Sequence, residues 1–136
     1  MRILGIDPGT KRCGVAVTDS RETLAFPREP VDFDEGFLGA ISRLVAEEDV
    51  ALVVIGRPVS LAGRATQSTA FADELFAQLR AALEVTVVQH DERLTTATAH
   101  RGLSDAGLAT KDHRGRVDSA AAVVMLQHFA DARHAH

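Results

Sequence analysis

The spacing of apolar positions changes along the chain. Residues 2–7 and 13–19 (Cys-Gly-Val-Ala-Val-Thr-Asp) are short, largely apolar runs that read as buried strands, with Pro8-Gly9 as the turn signal between them. A third extended stretch is expected near Thr23 to Pro27. Pro27 and Pro30 restrict it to an edge strand or its exit, because proline has no N–H for an interior ladder. Three strands joined by short turns predict an antiparallel meander.

From Phe37 the period becomes helical. Phe37, Leu38, Ile41, Leu44 and Val45 share a face, and Glu47-Glu48-Asp49 closes the segment. Val50 to Ile55 is continuously apolar, as in a strand covered on both faces. Gly56 to Gly63 reads as a loop. Phe71, Leu75, Phe76 and Leu79 predict a second helix ending near Leu83, and Val85 to Val88 another buried strand before the polar run His90-Asp91-Glu92-Arg93. A third helix is expected from about Thr95, where Thr95 and Thr96 suit a cap, to Ser104. A charged loop follows over Asp112 to Gly115. The final helix begins near Val117 and runs to the mid-130s; it is apolar nearly all round over Ala120 to Leu126 and so should be largely buried. The sum is an α/β fold with about five strands in a mixed sheet, the first three antiparallel, flanked by helices. No repeat, linker or low-complexity tract divides it, so residues 1–136 are expected to form a single domain.

Composition narrows the function. A chain of 136 residues with 46% hydrophobic and 25% charged positions can bury a core without a disulfide or metal staple. Its aromatics are six Phe, with no Tyr or Trp, which argues against rows of rings stacking on bases. Cys13, the only cysteine, cannot form an internal disulfide and suits the core of a protein in a reducing compartment. The opening residues are interrupted by charge too early for a signal peptide, and no apolar run approaches membrane-spanning length, so a cytoplasmic location is expected. The net charge is −4, yet positive charge gathers locally at Lys11-Arg12, at Arg57 and Arg64, at Arg93 and Arg101, and in Lys111, His113, Arg114 and Arg116. Basic loops over an acidic body are compatible with nucleic acid and do not require it.

The placement of acids says more. Asp7 ends the first strand, Asp91 and Glu92 follow the last strand directly, and Asp118 falls in the first turn of the last helix. With the first and last strands as sheet neighbours, Asp7, Glu92 and Asp118 would meet at one rim. Converging carboxylates repel, and a hard divalent cation with oxygen ligands relieves that repulsion. Two such ions, Mg²⁺ or Mn²⁺, would support in-line phosphodiester hydrolysis, Asp7 bridging them while Glu92 and Asp118 each complete one site. Taken singly, each acid has a plainer reading: Asp7 as a turn residue, Asp118 as a helix cap, and Asp91-Glu92-Arg93 as a solvated turn. Lys11 and Arg12 lie next to the proposed centre, and the Lys111 to Arg116 loop precedes Asp118, so these cations are candidates for phosphate contact. Gly5 to Thr10 also admits a phosphate-binding hairpin of the kind found in two-lobed ATPases, but this chain has no room for a second lobe.

Gly5-Ile6-Asp7-Pro8-Gly9-Thr10-Lys11-Arg12 followed by Gly14-Val15-Ala16-Val17 resembles the opening motif of the bacterial YqgF/RuvX family. Val54-Ile55-Gly56-Arg57-Pro58, Asp91-Glu92-Arg93-Leu94-Thr95-Thr96 and Val117-Asp118-Ser119-Ala120-Ala121 resemble its later blocks, in order. The resemblance implies a ribonuclease-H-like fold, an acidic centre of Asp7, Glu92 and Asp118, and Mg²⁺ or Mn²⁺ as cofactor. It implies an endonuclease acting on structured nucleic acid, either four-way DNA junctions or the 5′ end of precursor 16S rRNA; Lys11, Arg12, Arg93, Lys111, Arg114 and Arg116, by charge and position, are the expected substrate contacts. A junction substrate would further imply a homodimer, since two symmetric incisions need two sites. A non-catalytic nucleic-acid or ribosome-assembly binding module on the same fold is the alternative. One departure stands out: after the Gly-x-Pro of the middle loop the family usually carries an Asn, whereas this chain reads Val59-Ser60-Leu61-Ala62-Gly63-Arg64-Ala65.

Overall fold

The computed structural model describes residues 1–9, 11–58, 64, 66–91 and 119–134. Five strands, β1 (Arg2–Pro8), β2 (Arg12–Thr18), β3 (Ala25–Asp32), β4 (Val50–Arg57) and β5 (Thr86–Asp91), form one sheet in the order β3-β2-β1-β4-β5. The pairs β1–β2 and β2–β3 are antiparallel, whereas β4 lies parallel to both β1 and β5. The described helices are α1 (Phe37–Glu47), α2 (Gln67–Ala82) and α3 (Ala120–His134).

Strand alternation divides the core between two faces. Leu4, Ile6, Val15, Val17, Val53 and Ile55 point one way, beneath Phe37 and Ile41 of α1 and Leu75 and Leu79 of α2. Ile3, Ala16 and Val54 point the other way and meet Ala122 and Leu126 of α3. Covering on both faces explains why β1 and β4 read as unbroken apolar runs.

Element boundaries depart from the sequence reading where side chains, rather than periodicity, set them. Helix α2 starts at Gln67, ahead of its first large apolar residue, because Thr66 and Thr69 form a reciprocal capping box: the Thr66 hydroxyl accepts from Thr69 N–H, and the Thr69 hydroxyl accepts from Thr66 N–H. Strand β5 continues past Val88 through the polar residues to Asp91, since β4 offers partners that far, with Gly56 opposite His90 and Arg57 opposite Asp91. Strand β3 runs through both prolines to Asp32, and it is an edge strand as their missing donors require. Helix α3 is pinned to the start of β3 by Gln127, whose Oε1 accepts from Ala25 N–H at 2.9 Å and whose Nε2 donates to the Thr23 carbonyl at 2.7 Å. The last turn of α3 is tied down as well: His134 Nε2 donates to the Glu22 carbonyl at 2.7 Å. The third helix expected near Thr95 to Ser104 lies outside the described residues.

Candidate active site at the carboxyl edge of the sheet

Because β1, β4 and β5 are parallel, their carboxyl ends share one edge of the sheet. Asp7 ends the apolar part of β1 at that edge and pairs with Gly14 across the hairpin. Ile6 is level with Ile55, so Asp7 is level with Gly56 one step on, and Gly56 is level with His90. The row across the edge therefore reads Gly14, Asp7, Gly56, His90. Asp7 follows inward-facing Ile6 and so presents its side chain to the α3 side, flanked by two residues that carry none.

The hairpin that delivers Asp7 is tight. Gly9 N–H donates to the Arg12 carbonyl at 3.1 Å, and a Cβ on Gly9 would stand 2.7 Å from that same oxygen. Only glycine closes the turn without moving its backbone. Lys11 and Arg12, the expected phosphate contacts, are exposed on this hairpin beside Asp7.

The expectation that the first and last strands are neighbours is not met, because β4 lies between β1 and β5. Tertiary pairing puts two strand spacings, roughly 10 Å, between Asp7 and the end of β5. Parallel direction still brings both ends to the same edge. Asp91 falls on the α2 side of β5, being one residue past His90, which meets His128 and Phe129 of α3. Glu92, Arg93, Lys111, His113, Arg114, Arg116 and Asp118 lie outside the described residues.

Electrostatics around the edge are uneven. Among the described residues none donates a hydrogen bond to the Asp7 carboxylate, and Asp7 makes no ion pair with them, which suits a hard oxygen donor held for a cation. Among the described residues alone, no three of His, Cys, Asp and Glu gather into a group able to hold a metal. Arg57, by contrast, is engaged by α2: its Nε and Nη2 donate to the two oxygens of Asp73 at 2.9 and 3.2 Å, and Gln89 Nε2 donates to Asp73 Oδ1 at 2.8 Å. The Arg57 and Gln89 bonds hold Asp73 below the ordinary carboxylate range. Burial first, then the neighbouring His128, lowers the pKa of His90, with Asp91 pulling the other way. The two rings lie 5.4 Å apart, and His90 Nε2 and His128 Nδ1 have no hydrogen-bond partner among the described residues.

Sequence reasoning missed Ser119. Its fully buried hydroxyl accepts from Val15 N–H at 3.0 Å and donates to the Arg28 carbonyl at 2.7 Å. A serine just before a helix signals a cap, and no sequence pattern distinguishes that use from this one.

Among the described residues no helix is long and apolar enough to cross a membrane. The fold is similar to that of Thermus thermophilus RuvC in complex with a Holliday junction substrate, with a TM-score of 0.61 at 16% identity over 99% of this chain and 96% of that one. It is equally similar to fowlpox virus resolvase in complex with Holliday junction DNA, with a TM-score of 0.61 at 10% identity over 98% and 99% of the two chains. These neighbours make the fold ribonuclease-H-like, as the motifs imply. Among sequence relatives, a Chlorobaculum tepidum protein named "Putative pre-16S rRNA nuclease" is 37% identical, covering 96% of this chain and 94% of its own length. A Mycolicibacterium paratuberculosis protein of the same name is 42% identical over 98% of this chain and 82% of its own length. The profile of the RuvX family, described as Holliday junction resolvase, matches residues 1–132, and the chain belongs to that family.

Proposed function

We propose that this chain is a metal-dependent endonuclease that hydrolyses phosphodiester bonds in structured nucleic acid, working in the cytoplasm as one domain over residues 1–136. The observation that carries the reading is Asp7: a carboxylate unengaged by the described residues, held by a glycine-closed hairpin at the edge where three parallel strands end. The names of its relatives, and the junction-bound resolvases that share its fold, support nucleic acid as the substrate.

In this reading Asp7, Glu92 and Asp118 hold Mg²⁺ or Mn²⁺. Chain continuity supports the set, since consecutive Cα atoms are about 3.8 Å apart. Glu92 follows Asp91 at the end of β5, and Asp118 precedes Ser119, which bonds to the residue after Gly14, the pairing partner of Asp7. Two ions bound there would lower the pKa of the attacking water and neutralise charge on the departing 3′ oxygen. Lys11 and Arg12 on the hairpin, with Arg93, Lys111, Arg114 and Arg116, would contact phosphates and offset the net charge of −4 where the substrate approaches.

The test is cleavage of a four-way DNA junction and of a precursor 16S rRNA fragment with Mg²⁺ or Mn²⁺, comparing the wild type with Asp7→Asn. Loss of cleavage by about 100-fold or more in the variant is expected, since a metal ligand is removed. Equal cleavage by both proteins would remove Asp7 from the centre, and metal-independent binding without product would favour the binding-module alternative. Whichever substrate is cut identifies the biological one. Junction cutting would also predict a two-fold dimer in solution.

A further inference from the structure

The β2–β3 ladder breaks step beside the candidate centre. Cys13 pairs with Val31 and Val15 with Arg28, so between these pairs one residue of β2, Gly14, faces two of β3, Glu29 and Pro30. A bulge suits proline, which has no N–H for the ladder. At this point the Ser119 hydroxyl enters from α3, accepting from Val15 N–H and donating to the Arg28 carbonyl. Val15 and Arg28 are paired across the two strands, so one oxygen atom bridges them. Accepting and donating at a single buried atom is something only a hydroxyl does well.

The same residue begins α3. The Ser119 carbonyl accepts from Val123 N–H at 3.0 Å, the first intrahelical bond, which puts Ser119 in the N-cap position. A serine there ordinarily turns its side chain onto its own helix. This one turns it onto the sheet, at the level of Ile6 and Asp7, since Val15 pairs with Ile6 and Gly14 with Asp7. The start of α3 is thereby fixed to the strand that also fixes Asp7.

We propose that Ser119 is a positioning residue for the metal centre: by bridging Val15 and Arg28 it holds the start of α3, which Asp118 immediately precedes in the chain, against the strand paired with that of Asp7. The inference rests on the nuclease reading. It assigns Ser119 no contact with substrate or metal.

The test measures Mn²⁺ binding to the full-length protein by calorimetry, without nucleic acid, alongside circular dichroism and cleavage kinetics. Ser119→Ala should weaken Mn²⁺ binding by about 10- to 100-fold, the usual consequence of losing a group that orients a ligand. It should lower kcat while leaving KM for nucleic acid unchanged. Ser119→Thr, which keeps the hydroxyl, should stay within about threefold of wild type. Should Ser119→Ala fail to fold, Ser119→Cys, with its weaker donor and acceptor, takes its place and should fall between the two. Gln127→Ala supplies the control, because it loosens α3 at a site remote from Asp7 and should leave Mn²⁺ affinity unchanged. Wild-type Mn²⁺ affinity in a folded Ser119→Ala protein overturns the proposal, as does an equal loss in Gln127→Ala, which would mean general loosening of the helix. Failure of the nuclease reading shows differently: wild type and Asp7→Asn would then bind Mn²⁺ alike.

Discussion

Gly5 lies so close beneath Leu126 that a Cβ on the glycine would stand 3.0 Å from the leucine Cβ and 3.3 Å from one of its methyl groups. Helix α3 thus rests directly on the backbone of β1, two residues before Asp7. The approach is tighter than ordinary van der Waals contact, and the leucine Cβ belongs to the rigid part of a helix, so relief requires α3 to shift. Gly5→Ala is expected to destabilise the protein by about 1–3 kcal/mol. Adding Leu126→Ala, which keeps that Cβ but removes the methyl groups at 3.3 and 3.4 Å, should relieve part of the strain and cost less than the sum of the two single changes. Urea unfolding of the three variants measures both numbers. Additive costs would mean that the two residues do not oppose one another.

Asp49 ends α1 in the left-handed region, with φ at +54°. It follows Glu48, the last residue tied to the helix through its N–H to the Leu44 carbonyl, and so occupies the position where glycine is favoured. An aspartate tolerates this conformation better than most residues but still carries a Cβ against the neighbouring carbonyl. Asp49→Gly should therefore raise stability by about 0.5 kcal/mol, the relief being partly offset by the freer unfolded chain. Asp49→Val should lower it. A rise in thermal midpoint for the first and a fall for the second is the expected pair; the same sign for both would show that the backbone conformation is not the controlling factor.

The Cys13 thiol is fully buried, and its burial, reinforced by the charge of Asp7, raises its pKa, with a hydrogen bond from the Gly9 backbone acting against the shift. The reactive species is the thiolate, so the folded protein should resist alkylation. Labelling by a maleimide at pH 8 is expected to run at least about 100-fold slower than in denaturant, because it must wait for opening of the β1–β2 hairpin. Equal rates in the two conditions would mean that this hairpin opens freely, which would also undermine its role in holding Asp7.

What the sequence reveals follows from where the physics is local. The strands β1, β2 and β4 are legible because burial on both faces leaves little but apolar residues, and Asp7 stands out because an acid terminates such a run just before Pro-Gly. Asp91 is harder: whether a polar tail continues a strand depends on Gly56 and Arg57 lying alongside, and that is tertiary information. Strand order is hidden for the same reason. Nothing near Val50 to Ile55 announces that this strand inserts between β1 and β5, although a buried apolar strand must go somewhere central. Ser119 and Thr66 show the limit most clearly. Both are small hydroxyl residues ahead of a helix; Thr66 caps its own helix, while Ser119 bonds to two strands roughly a hundred residues away in the chain.

Glu48 offers the cleanest reading of charge in the fold. Its carboxylate accepts from Arg28 Nε at 2.9 Å and Nη2 at 3.2 Å, and from Arg2, tying the end of α1 to both β1 and β3. The Arg28 hydrogen bond first, then the charges of Arg28 and Arg2, hold its pKa below the ordinary 4.5, while partial burial opposes them. A folded-state pKa below the unfolded one means that the unfolded chain binds more protons in the interval between them. Stability from this group is therefore fully present above about pH 4.5 and is lost as pH falls through the folded-state value. Glu48→Gln, which removes the charge at every pH, is expected to cost about 1–2 kcal/mol at pH 7, the worth of a charged hydrogen-bond network at a partly exposed site. As pH falls below the ordinary carboxylate range the wild type loses the same charge, so the gap between the proteins should shrink. Urea midpoints at pH 7 and pH 3.5 measure it. A gap that stays constant across that interval would show that the side chain contributes through packing rather than through its pairing with the two arginines.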